Sequence, residues 1–190
     1  MNIEELQNQA NNIGLNLEFV NSQIFIQMIE TEDNIGCILR GHFVIENFLN
    51  IYVSDRVGVQ DFFNFRINFN EKLKIAERLG IKKEIYSSIK VLNNIRNDLA
   101  HKHQHVITTQ TIENFKNTVN QIKLINDSFP DINHMKIQLF DKDNQHISKT
   151  YDFTSGDGRI KLIIIIALLI QKLNYWLHQD ALSRRGISVV

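Results

Sequence analysis

The chain has 190 residues, of which 43% are hydrophobic and 22% charged, with a formal net charge of zero. That length and composition point to one folded domain and exclude a disordered tail or linker, while the balanced charge excludes a global field that would draw in nucleic acid. One proline favours long helices, and the single cysteine, Cys37, excludes a disulfide framework and a cysteine-based zinc centre.

Residues 1–12 are rich in amides and predict a frayed helix or a tail, and the acidic start Met1-Asn2-Ile3-Glu4-Glu5 lacks the basic opening of a signal peptide. A reducing cytoplasm is therefore the expected location. The run 19–29 fits a helix, and Asp33 or Asn34 caps a longer one reaching about residue 53. Ile38, Ile45, Phe48 and Tyr52 form one stripe of that helix, and Gly41 on the same stripe lets another backbone come close. Four residues separate His42 from Glu46, which predicts a hydrogen-bonded pair near the core.

Residues 54–69 read as a loop crowded with phenylalanine. Their density suggests core or dimer interface, with a base-stacking surface as the rarer use. Asn70 is expected to cap a short helix over 71–79, closed by Gly80. The next helix starts near Lys82 and turns Ile85, Ile89, Leu92, Ile95 and Leu99 inward. Another spans 111–129 and is stopped by Pro130. The stretches 136–140 and 146–153 alternate around the turn-rich 141–144, which predicts a β-hairpin within 135–153. A final helix runs over about 158–182. Its unbroken apolar run, 162–170, is half the length of a membrane span of ~20 residues, so we expect a buried core helix and no membrane contact. The expected fold is mainly α: an antiparallel helical bundle with a small β-hairpin insertion, in one domain over 1–190.

Charge is unevenly spread. Residues 1–69 carry three basic and nine acidic side chains, whereas residues 70–102 carry eight basic and four acidic. The positive third ends in Ile95-Arg96-Asn97-Asp98-Leu99-Ala100-His101. Arginine offers a fork of donors that suits phosphate, and histidine can both take and give a proton near neutral pH. At about 100° per residue, Arg96 and His101 stand about 140° apart on a straight helix, while Asn97 and His101 share a face. A shared site then needs either a helix that ends before His101 or a second copy of the chain. The plain alternative is that both cations complement the negative end of the helix dipole. His101 and His105 have zinc-chelating spacing, but no third ligand accompanies them, and no metal or other cofactor is expected.

The segment from Ile95 to His101 resembles the arginine–x4–histidine signature of the HEPN superfamily. Leu39-Arg40-Gly41-His42-Phe43-Val44-Ile45-Glu46 resembles the first long helix of its mannitol-repressor-like branch. The resemblance covers about 34–129. It implies a helical bundle that forms a homodimer with the two motifs facing each other. It also implies a metal-independent endoribonuclease of toxin–antitoxin or antiphage type, leaving cyclic-phosphate ends. In that role the catalytic residues would be Arg96, Asn97 and His101, with Asp98, Glu46 and Arg40 supporting them and Glu46 able to brace the arginine. The expected partners are RNA and an antitoxin or regulatory protein. Other members of the branch are regarded as non-catalytic regulators, which is the alternative reading. A nucleotide sensor built on the arginine is a third.

Overall fold

The computed structural model describes residues 2–20, 23–101, 107–125, 129–140 and 147–189, with the side chain of His101 outside the described set. Among these residues the fold is mainly helical with one two-stranded antiparallel sheet, as the patterning predicts. Helix α1 (Ile3–Asn12) is a capped element rather than a frayed tail. Asn2 accepts from the Glu5 backbone, and the Glu5 side chain returns a bond to the Asn2 backbone. Helix α2 (Gln23–Glu30) is shorter than the run that suggested it. Arg159 holds its end by donating to the carbonyls of Ile29 at 2.9 Å and Thr31 at 2.7 Å.

Helix α3 (Asn34–Val57) begins at the expected Asp33 cap, whose carboxylate accepts from Ile35 and Gly36. It runs past the expected end to Gly58, which closes it at a left-handed φ of 70°. Helix α4 (Phe69–Arg78) starts two residues before the expected position. Asn68, rather than Asn70, is the cap because Glu71 then falls where it can close a capping box. Helix α5 (Lys83–His101) buries Ile85, Ile89, Leu92, Ile95 and Leu99 as predicted.

Helix α6 (Thr109–Asn120) ends well short of Pro130, which corrects the expected span of 111–129. The carbonyls released there are taken up by side chains. Lys172 donates to Val119 and Ile122, Lys82 to Lys123 and Gln179 to Ile125. Four of the carbonyls at and beyond the helix end thus have side-chain donors from elsewhere in the fold. Strands β1 (Lys136–Phe140) and β2 (Ile147–Asp152) pair from Lys136 opposite Asp152 to Phe140 opposite Ile147, with a bulge at the last step. The turn expected at 141–144 lies outside the described residues.

Helix α7 (Gly158–Arg184) is apolar all round, and α1, α2, α3 and α6 pack on it. It is long and apolar enough to cross a membrane by length and composition, but 83% of its most apolar window is buried inside the fold. It is the central core helix of the bundle. Gly41 permits the close approach of α3 to α7: a Cβ there would stand 2.8 Å from Cγ2 of Ile166. Farther along, Phe48 and Tyr52 of α3 meet Trp176 of α7 with ring centroids 6.2 and 5.3 Å apart. Asp55 near the end of α3 receives Arg184 and, at 2.7 Å, Arg185. The result is a rigid α3–α7 pair on whose outer side α4 and α5 are laid.

Candidate functional site

The face of α3 turned toward α4 and α5 carries His42, Glu46 and Asn50 at intervals of four, and each meets a polar partner from a neighbouring helix. His42 is 7% exposed and its Nε2 lies 3.0 Å from Oδ1 of Asn93 on α5. Nδ2 of Asn93 in turn donates to Oδ1 of Asn70 on α4 at 2.9 Å. Phe69 lies against the imidazole with ring centroids 4.1 Å apart. Lys72, also on α4, donates to Glu46 at 2.8 Å and Asn50 at 3.0 Å. Three helices are thus tied together behind the last two turns of α5.

Those turns carry the arginine segment. Arg96 and Asn97 follow Asn93 by three and four residues, so they continue its face toward the helix end. Arg96 is half-buried. Its Nη1 donates to Oδ1 of Asn97 at 2.9 Å, and its buried Nε–H has no hydrogen-bond partner among the described residues. Among the described residues, the bond partner of this guanidinium is an amide and not a carboxylate. Helix α5 stays helical through His101, so the option of a helix ending before that residue is closed and the angle of about 140° to Arg96 stands. The imidazole of His101, like the whole of Lys102 to His105, lies outside the described residues, and the zinc reading at His101 and His105 falls there too.

The other expected site residues are placed apart from Arg96. Glu46, expected to pair with His42 or to brace the arginine, is taken by Lys72. The stronger attraction is from an ammonium that reaches it at hydrogen-bond distance. Asp98 points to the opposite side of α5, where it lines a cleft with Asn94, Gln110, Thr111 and Asn114. Arg40 turns back along its own helix and donates to the carbonyl of Gly36 at 3.0 Å. The phenylalanines divide. Phe62, Phe63 and Phe65 meet edge to face, Lys72 lies over Phe63, and Phe65 remains 55% exposed. Part of the positive third is therefore spent internally, since Lys72 and Lys82 both have partners within the fold.

Electrostatically the site is built around one fixed cation and one neutral ring. Burial pushes the His42 imidazole below its ordinary pKa of 6.5; its bond to Asn93 opposes this, the nearby Arg96 charge adds to it and Glu46 opposes it. His178 in α7 is lowered in the same way by burial, against the bond it makes with the carbonyl of Asn174. Burial favours the neutral form of both rings in the fold, so the unfolded chain binds more protons than the folded one as pH falls through 6.5. Stability from these two groups is complete above that pH and is lost as pH falls through their lowered folded values. Urea unfolding from pH 7.5 to 5 should show this acid loss, and His42→Gln should flatten it.

Sequence reasoning singled out His42 but missed Asn93 and Asn70. The available signal was the spacing of Asn93 from Arg96 and Asn97, which places all three on one helix face. Comparison with known proteins finds no matching family model, no similar curated protein and no similar solved structure.

Proposed function

We propose that this chain is a metal-independent RNA endonuclease that acts as a homodimer, with Arg96, Asn97 and His101 at the reaction centre. The observation that carries the reading is the Arg96 guanidinium. It is fixed by Asn97, and it retains a buried Nε–H with no partner among the described residues. A buried unmet donor costs about 1–3 kcal/mol, and a half-buried guanidinium with no carboxylate partner among the described residues keeps its charge for a phosphoryl oxygen. The resemblance of 34–129 to HEPN domains supports the same chemistry.

In this reading the ribose 2′-OH attacks the adjacent phosphorus and the 5′-oxygen leaves, giving a cyclic phosphate and a 5′-hydroxyl. His101 takes the proton from the 2′-OH or returns one to the leaving oxygen. Arg96 meets the negative charge that grows on the phosphoryl oxygens, and Asn97 holds Arg96 in place. DNA lacks the 2′-OH and is spared. Incubation of wild type with mixed RNAs in EDTA should give cleavage, and Arg96→Ala should lower its rate by about 10²–10³-fold. Equal cleavage by Arg96→Ala would remove the arginine from the mechanism. Folded wild type that cleaves no RNA would leave the non-catalytic regulator as the reading.

Two features support the homodimer. Arg96 and His101 diverge on one helix, so a second copy supplies the nearest route to a composite centre. The surface of α3 around His42 is also apolar: Ile35, Leu39 and Phe43 are 40%, 41% and 67% exposed, and Leu39 and Phe43 flank the histidine. Aromatic and aliphatic side chains in such a stripe suit an isologous contact between copies. Phe43→Glu should turn the dimer into a monomer in sedimentation while shifting fold stability by no more than about 0.5 kcal/mol, because the side chain is exposed. An antitoxin that covers this stripe would silence the enzyme.

A further inference from the structure

The direction of the amide chain behind Arg96 sets the state of His42. Asn93 donates its Nδ2–H to Asn70, so the atom it presents to His42 is Oδ1, an acceptor. Nε2 of His42 must then carry the proton, and the neutral ring keeps its lone pair on Nδ1. The ring is buried, lies on Phe69, and has charged groups on each side: Glu46 from its own helix, Arg96 from α5, and Lys72 from α4, which pairs with Glu46. A second proton would put an imidazolium beside the Arg96 guanidinium in a largely dry setting. Asn93 sits one turn before Arg96 and Asn97 on the same helix face, so its anchoring fixes the stretch of α5 that carries the arginine.

We propose that His42 is a positioning residue for Arg96: as the neutral Nε2–H tautomer it anchors Asn93 and keeps a competing cation away from the guanidinium. It does not itself touch the scissile phosphate. The inference rests on the nuclease reading for its catalytic consequence and on the hydrogen-bond geometry for its structural one, and the two are tested separately.

The structural arm needs no substrate. Long-range nitrogen–proton NMR on the intact protein should show His42 as the neutral Nε2–H tautomer at pH 7. The Arg96 Nε–H should give a resolved, slowly exchanging resonance. That resonance should persist in His42→Gln, whose amide can still donate to Asn93, and shift or vanish in His42→Leu and Asn93→Ala. An Nδ1–H tautomer, or an Arg96 signal unchanged in folded His42→Leu, overturns the proposal. In the catalytic arm, His42→Leu should lose about 10²-fold in kcat with KM little changed, and His42→Gln should recover most of it. His42→Gln should also hold its activity to lower pH than wild type. Should wild type cleave no RNA, the nuclease reading fails, and the NMR outcome still decides whether His42 positions Arg96.

Discussion

His101→Ala is expected to lower RNA cleavage by about 10²–10⁴-fold while leaving the fold intact, the range that a positioned general acid–base group contributes. The backbone at this position closes α5 and alanine is a strong helix former, so the thermal midpoint should barely move. His101→Gln should be as inactive as alanine, because a glutamine amide cannot accept and return a proton at neutral pH. If the two copies share their centres, mixing His101→Ala with Arg96→Ala protein should restore part of the activity. One arrangement of the mixed dimer then brings an intact arginine and an intact histidine to the same centre. Single-turnover rates across pH 5–9 give the cleanest measure, because they separate the proton transfer from product release.

Phe48→Ala should have the largest effect on stability. Phe48 is fully buried at the contact of α3 with α7, its ring centroid 5.4 Å from that of Phe19, 6.1 Å from Tyr52 and 6.2 Å from Trp176. Truncation removes the ring from all three neighbours and leaves a cavity that the rigid helix pair cannot close, at a cost of about 3–5 kcal/mol. For a chain of this size that is a fall of roughly 6–20 °C in Tm. Because α3 is also the helix that holds His42, Glu46 and Asn50 against α4 and α5, the variant should lose RNA cleavage at temperatures where wild type is still active. A loss under 1 kcal/mol would mean that the α3–α7 contact is not the core of the fold.

Helical periodicity made most of this bundle readable. The stripe Ile38, Ile45, Phe48 and Tyr52, and the series Ile85, Ile89, Leu92, Ile95 and Leu99, are buried as the spacing predicts. The alternation around 136–152 gives the hairpin. Element ends were read less well, because they depend on partners distant in sequence. Helix α6 stops at Asn120 because Lys172 and Gln179 of α7 satisfy the carbonyls that follow, and no local pattern announces that.

At the candidate site, the arginine and asparagine were legible as a motif. The contacts of Glu46 were not, since helical spacing puts it near His42 while tertiary packing delivers Lys72. Asn70 read as a helix cap, and nothing in the sequence singled out Asn93. They become part of the site only when α4 and α5 close over α3 and bury His42 between them.

The most direct test of the account is the chemistry of the cut ends. RNA incubated with the purified protein in EDTA should yield fragments with 2′,3′-cyclic phosphate and 5′-hydroxyl ends, formed by wild type and lost in His101→Ala. Fragments ending in 3′-hydroxyl and 5′-phosphate, or cleavage that persists undiminished in His101→Ala, would contradict it.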